Sequence, residues 1–242
     1  MIETANATAW YVFGVVASDA VPPRGTYLVE RGALAAVTAE VSLQEFGEDV
    51  LPERLNDRAW LEEKVRAHEE VLQSFVGVTP VVPLRFGAIY RGVDDVRGLL
   101  AERAAFFEDA LRRLHGHVEL GVKAWFDPAQ VARAPAASGR AYLEQRRDEL
   151  SSVRAAAAAA AGAHERLLEA AVDGVANRPQ PPELTGRSER MLLNAAYLVP
   201  VGGHRFEDEV ASLATEHASL GITYEVTGPW APYNFAQEDA EE

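Results

Sequence analysis

The chain has 242 residues, 48% of them hydrophobic and 25% charged, a globular composition with enough apolar material for one large core or two smaller ones. Its 37 acidic against 23 basic side chains give a net charge of -14, a surface that repels nucleic-acid phosphates and anionic lipid heads. The absence of cysteine excludes disulfides, thiolate zinc sites and cysteine nucleophiles, and fits a reducing compartment. No stretch approaches the ~20 apolar residues of a membrane span. The first residues, MIETANATAWYVFGVV, lack the basic start and long apolar run of a signal peptide. These features predict a cytoplasmic protein with neither nucleic acid nor membrane as partner.

Residues 9–16, AWYVFGVV, are β-branched and aromatic and predict a buried strand. After a loop, residues 25–42 divide into two strands around a turn at Arg31 and Gly32. Asn56 or Asp57 caps a helix over 58–75, whose apolar stripe is Leu61, Val65, Leu72 and Phe75, with His68 on the same face. Residues 81–90, VVPLRFGAIY, predict another strand. Val82, Leu84 and Phe86 alternate onto one face, Arg85 points to the other, and Gly87 marks a bulge. A second helix starts at Asp94 or Asp95 and runs to His115, with Val96, Leu99, Phe106, Ala110 and Leu114 as its stripe and Gly116 as its stop. Residues 1–115 therefore read as an N-terminal α+β domain.

Residues 116–242 read as a second domain. HVELGVKAWF, 117–126, alternates apolar residues onto one face as a strand does. A loop rich in proline and alanine leads into a long helix from about 140 to about 176, favoured by the alanine run at 155–161. NRPQPPE breaks it. RMLLNAAYLVP, 190–200, is a nearly continuous apolar run and predicts a central strand. An amphipathic helix follows, with Phe206, Val210, Leu213, His217 and Leu220 on its stripe, and ITYEVTG, 222–228, is the last strand. The order of strands and helices predicts a ferredoxin-like α+β layer. From about residue 227 a tail, TGPWAPYNF, sets Trp230, Tyr233 and Phe235 among Gly228, Pro229 and Pro232.

A search for chemistry finds little. No phosphate-loop motif occurs, and the two glycines of VGGHRF, 201–206, read as a tight turn rather than an anion cradle. His115 and His117 lie at a turn without a carboxylate cluster beside them. The serines stand outside any nucleophile motif, and no nucleophile, base and oxyanion donor converge. No catalytic, cofactor-binding or metal-ligating residue is therefore expected. His68 and His217, on apolar stripes, read as core histidines with a hydrogen-bond partner, or as pH sensors. Arg85, between Leu84 and Phe86, holds either a structural ion pair or a partner. The long helix either covers the sheet or offers a docking face.

Four segments together resemble the gas vesicle GvpF/GvpL family. They are VVPLRFGAIY at 81–90, VELGVKAWF at 118–126 followed by GRAYLEQRRDE at 139–149, LLNAAYLVP at 192–200, and VTGPWAPYNF at 226–235. RAHEEVL at 66–72 also fits. The resemblance implies two α+β domains, the C-terminal one a modified ferredoxin-like fold with an extended tail. It implies a non-enzymatic accessory protein of the gas vesicle, the hollow protein-walled organelle of the cytoplasm. Its partners would be the apolar shell protein, other accessory proteins, or both, during nucleation or growth. A minor structural component of the vesicle wall is the alternative, and a small-molecule-binding or enzymatic ferredoxin-like protein a further one. The expected partner-binding or tail-docking residues are Trp230, Pro232, Tyr233, Phe235, Arg85 and Phe86. The tail aromatics either fold back over an apolar groove or anchor a partner.

Overall fold

The computed structural model describes residues 7–131 and 139–236. Part of the proline- and alanine-rich loop, residues 132–138, lies outside that set. The chain divides into two compact units. The first takes the residues up to Val118 and those from Trp230 on, so the tail groups with the N-terminal elements; the second is Glu119–Pro229.

In the first unit, β1 (Thr8–Ala17) pairs antiparallel with β3 (Leu34–Ser42), and β3 pairs with β2 (Tyr27–Arg31). Two short helices follow, α1 (Leu43–Phe46) and α2 (Leu51–Arg54). In α3 (Arg58–Gln73), the Asp57 carboxylate accepts the N–H groups of Ala59 and Trp60, satisfying two donors of the first turn. The far edge of β1 carries β4 (Val82–Pro83) and β5 (Ile89–Tyr90). The single strand expected over 81–90 is thus two short bridges. Pro83 has no N–H to donate, and Gly87 at φ 86° turns the chain out before Ala88 accepts the Val12 N–H. Arg85 and Phe86 sit on this protruding loop instead of alternating on a flat strand.

The second helix is also two: α4 (Val93–Glu102) and α5 (Ala104–Leu114). The helix breaks at Arg103 (φ -114°, ψ 22°); Val96, Ala110 and Leu114 are buried as expected, while Leu100 and Phe107 are buried in place of Leu99 and Phe106. Tyr11 and Phe13 of β1 meet Trp60 and Leu72 of α3 in one apolar cluster.

The second unit runs β6 (His117–Phe126), α6 (Gly139–Ala170), β7 (Asp173–Ala176), α7 (Pro182–Thr185), β8 (Arg190–Pro200), α8 (Arg205–His217) and β9 (Ile222–Trp230). Its sheet order is β7-β8-β6-β9. The long helix ends at Ala170, short of the expected 176, because the next residues join the sheet: Val172 donates to the Leu198 carbonyl and Val175 lies opposite Ala196. Ala156, Ala160, Ala163 and Leu167 form the buried stripe of α6. Arg166 ties α6 to α8 through Glu209 at 2.6 Å and Glu216 at 2.7 Å.

Gly221, which ends the single 3-10 turn after α8, has φ 73°, and a Cβ there would lie 2.6 Å from the Asp127 carbonyl oxygen. Gly221→Ala is therefore expected to destabilise the protein by roughly 2 kcal/mol or more, from left-handed backbone strain plus the clash. Urea unfolding should show a lower midpoint at unchanged slope.

Candidate functional site

The tail and the N-terminal elements meet on α3. Pro232 (φ -81°, ψ 60°) makes a tight turn closed by the Tyr233 N–H on the Ala231 carbonyl at 2.8 Å. The turn buries Ala231, Pro232, Phe235 and Ala236 and leaves Tyr233 half-buried. Arg113 of α5 donates to the Phe235 carbonyl. Trp230, before the turn, is 46% exposed.

The turn aims the Tyr233 hydroxyl at His68, which is 2% exposed. The hydrogens of this contact can be placed by elimination. Tyr233 has one proton, and it goes to Glu69 Oε1 at 2.7 Å, because a carboxylate only accepts. Its oxygen therefore accepts from His68 Nε2 at 3.0 Å. In the neutral ring Nδ1 is then the acceptor and takes the Tyr11 hydroxyl proton at 2.8 Å. The Tyr11 oxygen in turn accepts the Gly87 N–H at 3.1 Å. One unbroken relay thus runs from the edge loop through β1 and α3 to the tail.

Burial pushes the His68 imidazole down to about 4, with the Leu84 carbonyl opposing, so the ring is neutral near pH 7. Burial pushes the Tyr11 phenol up to about 12, opposed by its Gly87 hydrogen bond. Rings pack around the relay. Phe86 lies 6.0 Å from His68 and 6.1 Å from Tyr11 between ring centroids, and Phe13 5.6 Å from His68. Trp60 joins at 5.4 Å from Phe46 and gives its indole N–H to Glu45 at 2.8 Å. Beside Tyr233 opens a cleft of about 400 Å³, lined by Arg85, Arg103, Phe106 and Ala236 among others. Among the described residues no group of three or more His, Asp or Glu side chains could hold a metal ion.

The edge loop and the tail are two of the segments that carry the family resemblance. The family model described as gas vesicle synthesis protein GvpL/GvpF matches residues 9–237. The chain belongs to the GvpL/GvpF family. It is 38% identical over 236 residues to gas vesicle protein L of Streptomyces sp. (strain CB03234), covering 91% of this chain and 86% of that one. To gas vesicle protein F of the same strain it is 27% identical, covering 89% and 90%. The crystal structure of GvpF from Anabaena sp. PCC7120 shares the fold at a TM-score of 0.70 and 19% identity, over 97% of this chain and 98% of that one.

Within this GvpL/GvpF chain the residues singled out in the sequence take different positions. Tyr233 and Phe86 contact His68, Pro232 and Phe235 are buried in the tail turn, Arg85 lines the cleft and Trp230 is half in solvent. The pattern did not reveal Tyr11 and Glu69 as members of the relay: Tyr11 reads as one more residue of the apolar run 9–16, and Glu69 as one acid of a helix. A second aromatic group also went unread. Trp10 of β1 meets Tyr27 of β2 edge-to-face at 6.2 Å and lies opposite Tyr90 of β5. Tyr27 is 59% exposed. Trp10 and Tyr90 are cross-strand partners on one sheet face, and Tyr27 reaches Trp10 from beyond β3, so the three form an aromatic row that a period-2 reading of single strands cannot assemble.

Proposed function

We propose that this GvpL/GvpF chain is a non-enzymatic accessory protein of gas vesicle assembly that binds the apolar shell protein, other accessory proteins, or both, during nucleation or growth. The family match over residues 9–237 carries this reading. The half-exposed row of Trp10, Tyr27 and Tyr90 supports it, because aromatic side chains give large contact area at low ordering cost. A carrier with a net charge of -14 keeps an apolar subunit in solution by mutual repulsion of the complexes. Site of action is the cytoplasm and the vesicle, and among the described residues no helix is long and apolar enough to cross a membrane. Greater identity to protein L than to protein F of one strain favours an L-type member.

The two compact units act in this reading as two domains. The second is assigned to the ferredoxin-like class on its β-α-β-β-α-β order and its sheet order, in which the first and third strands of the unit are central. Light scattering by purified shell protein is expected to fall on addition of the chain at equal molar amount. Scattering that is unchanged at molar excess would overturn the reading.

A further inference from the structure

The chain carries 37 acidic residues, yet the cleft beside Tyr233 is cationic. Arg85 and Arg103 line it together with Leu84, Phe106, Tyr233 and Ala236, and among the described residues no carboxylate does. Arg85 is exposed on the edge loop, and among the described residues it enters no ion pair. The Arg103 guanidinium lies 4.5 Å from the Phe106 ring centroid, which holds positive charge against an apolar wall.

A guanidinium fork matches a carboxylate bidentately, and apolar walls around the pair strengthen the attraction by excluding water. The overall charge of -14 adds a long-range penalty that grows with the ligand's own negative charge. A single carboxylate on an apolar body meets both conditions better than a polyanion does. We propose that the cleft is a docking site for a segment of a partner protein in which one carboxylate side chain is flanked by apolar ones. Arg85 takes the carboxylate, and Phe106 and Tyr233 take the flanks. This deepens the assembly-factor reading, and rests on it for the partner being a vesicle protein.

The test is calorimetric titration of the full chain with the blocked peptide acetyl-Leu-Glu-Phe-Leu-amide and with its glutamine counterpart. The glutamate peptide is expected to bind about tenfold more tightly. Arg85→Ala should remove that preference and Arg85→Lys should keep part of it, with unfolding midpoints unchanged because Arg85 is exposed. Equal affinity for the two peptides, or full preference in Arg85→Ala, overturns the proposal. A second variant, Glu238→Gln with Asp239→Asn, Glu241→Gln and Glu242→Gln, tests the chain's own acidic residues as occupant. Less than a twofold change supports a partner segment, and a gain of tenfold or more overturns it. Capture of vesicle proteins that persists undiminished in Arg85→Ala rejects the site but leaves the assembly reading standing. Peptide preference without capture of any vesicle protein rejects that reading but leaves the site.

Discussion

His68→Phe is expected to destabilise the protein by about 3 kcal/mol at pH 7, and to lose most of that deficit by pH 4. The first part follows from the relay. Phenylalanine keeps the ring packing against Phe13 and Phe86 but removes both ring nitrogens. Tyr11 then loses the acceptor of its proton, and the Tyr233 oxygen loses the N–H of His68 Nε2. Each such loss at a buried site costs roughly 1–3 kcal/mol. The second part follows from titration. The groups facing His68 are the Tyr11 hydroxyl from β1, the Tyr233 hydroxyl from the tail, the neighbouring Glu69 on α3 and the Leu84 carbonyl of the edge loop. A protonated ring would turn Nδ1 into a donor and leave the Tyr11 proton to find another acceptor.

The sign is fixed by the direction of the shift. His68 is held at about 4 when folded, below the ordinary imidazole value of 6.5. Between these values the unfolded chain binds the extra proton, so the contribution is full above about 6.5 and is lost as pH falls towards 4. The difference corresponds to about 3 kcal/mol. His68→Phe lacks this dependence. Urea unfolding of the pair at pH 7 and pH 4.5 measures it. A gap that stays constant across that range would refute the neutral-ring assignment.

Phe235→Ala and Trp230→Ala are expected to separate by several kcal/mol although both remove a tail aromatic. Phe235 is 3% exposed, and truncating a buried phenylalanine costs about 3–5 kcal/mol through lost burial and the cavity left behind. Trp230 is 46% exposed, and its truncation should cost about 1 kcal/mol or less. Denaturant midpoints at equal slope distinguish the two variants. The fold-back and anchoring readings of the tail thus fall on different residues: Phe235 belongs to the fold, and Trp230 retains surface to offer a partner. Equal losses in the two variants would contradict that division.

What the sequence makes legible is set by how far each signal reaches along the chain. The β1 run, the α3 cap at Asp57 and the buried stripe of α8 at Phe206, Val210, Leu213 and His217 are local patterns, and each element forms where its pattern stands. The edge of β1 was misread because Pro83 and Gly87 act together on two neighbouring bridges, while alternation treats 81–90 as one segment. The α4–α5 break at Arg103 carries no proline or glycine to announce it; Arg103 also faces the rings of Phe106 and Phe107 at 4.5 and 5.1 Å. β7 is four residues long and exists through its ladder with β8, so periodicity has too little chain to act on. Of the candidate site, His68 and the tail were visible as anomalies: a histidine on an apolar stripe, and aromatics among prolines. Their meeting was not visible, since 165 positions separate His68 from Tyr233.

That separation bears on the order of events during synthesis. A ribosome that has reached Pro229 has already made the whole second unit and every N-terminal element of the first, but none of the residues from Trp230 on. Until then His68 Nε2 lacks its acceptor, and the surface that Ala231 and Phe235 will occupy is uncovered. Domains of a growing chain ordinarily fold in the order in which they are made. Here the unit begun first is finished last, so completion of its core reports that translation has passed the second unit.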